Sequence, residues 1–434
     1  MEKLFHSVTL DKDKCVGCTN CIKHCPTQAI RVRGGKATII SQRCIDCGEC
    51  IRVCPHHAKK ARHDSLDILK NHPYNIALPA PALFGQFNHM DDIDIILTGL
   101  LELGFDQVFE VSRGAEIVSD ATRKLLAEGK LKKPVISSAC PAVVRLIQVR
   151  FPHLCDHVLP LKSPMEVAAA LARQRAMAQT GLSPDDIGVI FISPCPAKVT
   201  DVRLPIGNDC SQVDGVLAIS DIYPQLVHKM NHLDRVDPLC KSGLIGVSWS
   251  FIGGEAAGLL NENHLAADGI QNVIHVLEEL EDDKLTELDF IELNACAGGC
   301  VGGVFTAENG YVARARIKRL RKYMPMSCNR AEDIGDLSTL NWSRSLQENP
   351  ALRLADNVPD AMRLMQEAEQ VFAELPKLDC GACGAPSCRA LAQDVAQGLA
   401  QKTDCIFLMR RQIQEIATRL AGMEGFVPPT EGET

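Results

Sequence analysis

From residue 75 onward, the apolar and polar positions alternate between short buried-strand patterns and helical ones. Residues 75–78 form an apolar strand running into Pro79-Ala80-Pro81. Residues 91–103 repeat apolar positions at helical spacing, with aspartate at the start and Gly104 at the stop. A strand over 105–111, a helix over 115–128 closed by Gly129, and a strand over 134–137 follow. Cys140-Pro141 opens the next helix, with proline at a first-turn position where its missing N–H costs nothing. Strands at 188–192 and 289–293 each run into a cysteine-bearing loop. This alternation predicts an α/β domain with one open sheet, whose loops at the carboxyl strand ends converge on a common crevice.

The two ends of the chain read differently. Residues 29–33 and 36–40 are short strands around Gly34-Gly35, the pattern of a hairpin, and a basic, histidine-containing connector over 59–72 follows. Near the other end, Ser387 opens a helix, and 407–420 forms another with Met409, Ile413, Ile416 and Leu420 at helical spacing. That stripe predicts a packing face, and it also suits a second copy of the chain or a signalling partner. Residues 425–434 read as a frayed tail. The expected division is 1–62, 72–370, 371–408 and 409–434.

Composition narrows the class. The 434 residues exceed one domain by the length prior, and 46% hydrophobic with 23% charged content is that of an ordinary globular chain. A net charge of −8 without a long basic run speaks against nucleic acid as a partner. There is no signal-like segment at the start and no apolar run near the ~20 residues a bilayer requires, so a soluble cytoplasmic protein without membrane contact is expected.

The 20 cysteines carry the chemistry, because their spacing is that of metal ligands and not of disulfides. The first arrangement is Cys15-x2-Cys18-x2-Cys21-x3-Cys25-Pro26, repeated as Cys44-x2-Cys47-x2-Cys50-x3-Cys54-Pro55. In this bacterial two-cluster ferredoxin run the fourth cysteine of each repeat ligates the other cluster. One 4Fe–4S cluster would take Cys15, Cys18, Cys21 and Cys54, the other Cys44, Cys47, Cys50 and Cys25. In the second arrangement Cys140, Cys195, Cys296 and Cys300 follow strands, and the last two sit in the glycine-crowded run Asn294-Ala-Cys-Ala-Gly-Gly-Cys-Val-Gly-Gly303. Four thiolates there hold one cubane or one zinc. The third, Cys380-x2-Cys383-Gly-x3-Cys388 with Cys405, is again a four-thiol set, and four thiols do not themselves choose iron over zinc. Cys155, Cys210, Cys240 and Cys328 are left as core thiols.

The three loops Ser137-Ser-Ala-Cys-Pro141, Ser193-Pro-Cys-Pro-Ala-Lys198 and Asn294-Ala-Cys-Ala-Gly-Gly-Cys300 resemble the signature loops of iron-only (FeFe) hydrogenases. Ala80-Pro81, Gly104-Phe105-Asp106-Gln-Val-Phe109 and Lys162-Ser163-Pro164-Met165 add to the resemblance. The third arrangement is similar to the small 4Fe–4S module of corrinoid iron–sulfur proteins. The resemblance implies an α/β hydrogenase-like H-cluster domain between a two-cluster ferredoxin domain and a small helical 4Fe–4S module. It further implies that Cys140, Cys195, Cys296 and Cys300 hold the H-cluster cubane. Cys300 would bridge to a diiron unit with carbonyl, cyanide and dithiolate ligands. Lys198 would donate to a cyanide, and Ala80, Pro81, Ser163 and Pro164 would line the pocket. Ser163-Pro-Met-Glu166 also reads as a capping box, with Pro164 at the first helical position.

The departures from the family pattern point to divergent, sensory relatives. Ala139 stands where active members carry the proton-passing thiol, and Ser193 and Asn294 replace methionines. By ungapped alignment the relay acids fall on Thr122 and Leu125 and the relay serine on Leu159. The expected function is slow interconversion of H2 with protons and electrons at an H-cluster. Three accessory 4Fe–4S clusters would relay electrons to a ferredoxin or other redox protein, and maturation enzymes would install the diiron unit. Two alternatives stand beside it: a hydrogen or redox sensor acting on a partner, and an electron-transfer subunit without the diiron unit.

Overall fold

The computed structural model describes residues 5–423, so the tail expected over 425–434 lies outside the described residues. The amino-terminal module pairs β1 (Val8–Leu10), β2 (Ile30–Arg33), β3 (Lys36–Ile39) and β4 (Lys59–Ala61) as two antiparallel ribbons, β1 with β4 and β2 with β3. Gly34 and Gly35 turn the second ribbon with φ of 56° and 72°, the left-handed pair that a two-residue hairpin demands. The one-turn helices Asn20–Lys23 and Glu49–Arg52 carry Cys21 and Cys50 into the small core between the ribbons.

Seven strands build the central domain: β5 (Tyr74–Pro79), β6 (Gln107–Val108), β7 (Val135–Ile136), β8 (Ile187–Ser193), β9 (Gly215–Ala218), β10 (His264–Asp268) and β11 (Phe290–Asn294). They form two parallel sheets, β6-β5-β8-β9 and β10-β11-β7, where the sequence predicted one. The Cys195 loop therefore comes from one sheet and the Cys140 and Cys296–Cys300 loops from the other, so the crevice they share lies between sheets and not at a switch point within one. The helices Val111–Glu128 and Pro164–Thr180 pack tightly on each other. Gly114 permits it, since a Cβ there would lie 2.3 Å from the Pro164 carbonyl oxygen. The strand expected over 105–111 shrinks to two residues at a sheet edge, and the helix expected from 115 begins at Val111.

At the carboxyl end, Val358–Glu374 runs across the boundary expected at residue 370 and packs on Cys388–Ala396. The helix Ile406–Met423 follows. Its stripe of Ile406, Met409, Ile413, Ile416 and Leu420 is exposed throughout, so the packing face predicted for it is not used within the described residues. No helix among the described residues is long and apolar enough to cross a membrane.

Candidate functional site

Each cysteine of the central set sits at the seam between a strand and a helix. Cys140 precedes the helix Pro141–Arg150 after β7, and Cys195 precedes Pro196–Arg203 after β8. Cys296 and Cys300 occupy the glycine loop after β11. Gly299 is obligatory there: its φ is 89°, and a Cβ would lie 2.6 Å from the Ile252 nitrogen. Burial, and then the neighbouring thiols, push Cys195 up to about 11 and Cys296 up to about 12. Cys300 is raised well above the ordinary thiol range by burial and then by Cys195 and Cys140. Thiols raised in this way share one space as thiols or as ligands of a cation, but not as free thiolates.

Beside them a cavity of about 100 Å³ is lined by Ala80, Pro81, Pro164, Lys198, Ala139 and Cys300. Lys198 is buried and pairs with Asp201 at 3.1 Å. Burial opposes its charge, and Asp201 outweighs burial to raise its affinity for the proton. The walls are apolar and the donors are soft, which fits an iron–sulfur cofactor with a cation against its anionic ligands.

Ser163 is not among the cavity-lining residues. Its hydroxyl is buried without a hydrogen-bond partner, and the expected capping box does not form. Glu166 instead accepts from Ser211 Oγ at 2.5 Å and from the Gln212 amide at 2.8 Å, which holds the loop after the Cys195 helix. Of the cysteines expected as core thiols, Cys210 and Cys328 are exposed, because they lie on irregular segments at the surface.

The same cavity carries two acids that the sequence reading passed over, Glu255 and Glu292. Glu292 accepts from the Gly253 and Ala256 amides at 3.0 and 2.9 Å and from Asn294 Nδ2 at 3.0 Å. Asn294, expected from the resemblance to stand in place of a methionine, thus holds an acid in place. Glu255 accepts only from Ser137 Oγ, at 2.8 and 2.7 Å. Burial, then the charge of Glu292, hold Glu255 well above the carboxylate range. Burial pushes Glu292 up to about 7 against its three N–H donors. Glu292, with more hydrogen-bond donors, ionises first, and Glu255 keeps its proton at neutral pH. The signal available in sequence was Glu292 itself, a carboxylate inside the apolar run Phe290-Ile-Glu-Leu293.

The pair makes stability depend on pH. A carboxyl raised in the folded state binds protons there that the unfolded chain has released, so its contribution is fully present below about pH 4.5 and is lost as pH rises through about 7. The unfolding temperature of the wild type should therefore fall between pH 5 and pH 8. Glu255→Gln, which removes one of the two raised carboxyls, should flatten that slope. An equal slope in both proteins would remove the pair as its cause.

Around the amino-terminal cysteines the structure forms two small cavities. One is lined by Cys25, Cys44, Cys47 and Cys50, the other by Cys15, Cys18, Cys21 and Cys54. The amides of Ala29, Ala37 and Ala58 donate to the sulfurs of Cys25, Cys15 and Cys54 at 3.2, 3.4 and 3.3 Å. Donors aimed at sulfur favour the thiolate form that a cluster needs. His6, Cys44 and Asp46 also converge. Asp46 is already spent on the Val8 amide and on Thr200 Oγ1, which tie this module to the Cys195 helix. In the carboxyl-terminal module Cys388 and Cys405 are buried, Cys383 is half-buried and Cys380 is exposed.

The family defined by the carboxyl-terminal domain of the iron-only hydrogenase large subunit matches residues 74–238 and 255–304. A 4Fe–4S dicluster domain family matches 7–55, and an Fe–S cluster family matches 375–407. The chain is 28% identical over 368 residues to iron hydrogenase 1 of Clostridium pasteurianum, covering 68% of this chain and 64% of that protein. It is 24% identical over 302 residues to the nuclear prelamin A recognition factor of Mus musculus, covering 55% of this chain and 64% of that one. The chain thus spans under two thirds of the length of either relative. An FeFe-hydrogenase structure from Chlamydomonas reinhardtii is similar at 18% identity and a TM-score of 0.48, over 66% of this chain and 94% of that one.

Proposed function

The chain belongs to the FeFe-hydrogenase-like family, and from that premise we propose that it is an iron–sulfur oxidoreductase interconverting H2 with protons and electrons at an H-cluster. The observation that carries the proposal is the cavity that places Lys198, Ala80, Pro81 and Pro164 beside Cys140, Cys195 and Cys300. Cys140, Cys195, Cys296 and Cys300 would hold the cubane, with Cys300 shared by the diiron unit. When bound, that unit would supply the centre where hydrogen is split or formed. Lys198, kept charged by Asp201, offers an N–H donor to an anionic ligand in the cavity. Ala80, Pro81 and Pro164 exclude water from it.

Ala139 leaves the site without the family's thiol. Glu255 and Glu292 take over the storage of a proton at the cavity wall, on a Glu255 carboxyl oxygen beside Ser137 Oγ. The accessory clusters, on the three remaining four-cysteine sets, would carry electrons to a ferredoxin-like protein. Infrared spectroscopy of anaerobically matured protein tests this reading, because iron-bound CO and cyanide absorb where protein does not. Protein that takes up iron at all four sets and shows no such bands would instead be an electron-transfer subunit. A sensing role is the second reading, favoured by Ala139 and by the exposed apolar stripe of the helix Ile406–Met423, which suits a signalling partner or a second copy.

The cluster content is testable separately. Fully loaded protein should bind about 18 irons, four cubanes and two further irons. Cys383→Ser should remove about four and spare the infrared bands. Zinc bound at Cys380, Cys383, Cys388 and Cys405 would overturn this assignment of the third module.

A further inference from the structure

The carboxyl-terminal module is not tethered loosely to the rest of the chain; its cysteine loop is docked on the edge of the β2–β3 ribbon. The Val32 amide donates to the Gly384 carbonyl at 2.8 Å, a strand-edge hydrogen bond to the residue next to Cys383. Contact there is so close that a Cβ on Gly384 would lie 1.8 Å from the Val32 carbonyl oxygen. Arg33 donates from Nη1 to the Cys383 carbonyl at 2.6 Å. Behind the loop, Asp394 is buried and accepts from Arg31 at 2.7 and 3.0 Å and from Arg33 at 3.1 Å. Both carboxylate oxygens are filled by guanidinium donors, and Arg31 gives its remaining Nη1 donor to the Gln28 and Ile30 carbonyls. A buried charge set is tolerated only when it is saturated in this way, and it then fixes one geometry.

Val32 is the joint. Its backbone bonds the Cys383 loop, while the residue itself lines the cavity of Cys15, Cys18, Cys21 and Cys54. The second cavity lies on the other side, against the catalytic loops. Gly48 lines it, and a Cβ on Gly48 would touch Val304 and come within 3.5 Å of Pro196. Arg52 donates to the Gly302 carbonyl at 3.0 Å.

We propose that the Cys380 set is an electron port wired in series through Val32 to the Cys15 set, then to the Cys44 set and the Cys140 set, with Arg31, Arg33 and Asp394 as the positioning clamp. Cys380, the exposed thiol of its set, faces the external carrier. A one-electron carrier of the viologen or ferredoxin class reduces the Cys380 cluster. That cluster returns to its oxidised state as it reduces the Cys15 cluster, so one electron moves and no atom does. The inference rests on the cluster assignments of the proposed function, though not on the diiron unit.

The test uses the full chain with its clusters, reduced anaerobically by dithionite. Its readout is the paramagnetic broadening and power saturation of the Cys15 cluster signal in electron paramagnetic resonance. In wild type the signal should be broadened by the reduced Cys380 cluster, and Cys383→Ser should remove that broadening. Asp394→Arg, which sets three guanidiniums together, should abolish the broadening and speed proteolysis of the largely irregular segment 344–357, which leads into the helix Val358–Glu374, at least tenfold. The exchanged pair Arg31→Asp with Asp394→Arg should restore both. Where Asp394→Arg loses iron, the milder Arg33→Lys carries the test and should weaken the broadening with iron retained. Fully loaded wild type without coupling, or coupling unchanged in iron-replete clamp variants, would overturn the series order. A wild type that binds no iron at the Cys380 set would instead overturn the cofactor reading.

Discussion

Replacing Cys300 by serine is expected to abolish the infrared bands of iron-bound carbonyl and cyanide, and hydrogen turnover with them, while the irons of the three accessory sets stay in place. A thiolate sulfur has lone pairs for two metals, and a serine hydroxyl remains protonated and hard at neutral pH. The loop cannot shift to compensate. A Cβ at Gly302 would lie 2.0 Å from the Ala297 carbonyl oxygen, and one at Gly303 would lie 2.2 Å from the Pro194 carbonyl oxygen, so backbone rests on backbone to both sides. Cys155→Ser is the matched control. Its thiol is half-buried against the apolar cluster around Ile147 and Leu154, away from the cavity, and the bands should survive its loss. Bands unchanged in Cys300→Ser would remove this residue from the bridging role. Iron counts on both variants show whether the accessory sets were kept.

The grouping of the amino-terminal cysteines was legible because each repeat puts three of them within seven residues, which needs no knowledge of the tertiary fold, and each triplet lines one cavity. The exchange of Cys25 and Cys54 between the two repeats was legible for the same reason, since the repeat itself encodes it. The split into two sheets was not. Parallel neighbours are joined by crossovers, so the order of β5, β8 and β9 against β7, β10 and β11 follows from helix packing that strand patterns do not contain. Nor could the sequence pair Arg31 with Asp394, which lie 363 positions apart. Ser163 shows the opposite failure. A good local motif was overridden because the Glu166 carboxylate found partners in another loop. The relay positions Thr122, Leu125 and Leu159 were read by alignment alone. In the structure Thr122 bonds its own helix at the Val118 carbonyl, and Leu125 and Leu159 belong to one apolar cluster with Ile117 and Phe290.

That packing decides how the proton supply should be tested. Rebuilding the family relay through Leu159→Ser would empty a fully buried position at a cost of about 2–5 kcal/mol for a core leucine, so a loss of activity would report on folding. Glu255→Gln is the cleaner change. Among the described residues its only hydrogen-bond partner is the Ser137 hydroxyl, which rotates to suit an amide, so the pocket keeps its shape while the stored proton is gone. General acid–base transfer by a positioned group contributes ~10²–10⁴-fold, and hydrogen evolution per diiron site should drop within that range. In wild type the rate should also fall as pH rises past about 7, where Glu292 gives up its proton, and Glu292→Gln should lose that inflection. Ala139→Cys should raise the wild-type rate modestly, because the new thiol lines the same cavity as the acids but has only packed leucines behind it. In Glu255→Gln it should raise the rate far less, since the proton stored on Glu255 is gone. A Glu255→Gln protein as fast as wild type per infrared-detected diiron site would show that protons reach the cavity without Glu255 and that this acid only shapes its wall.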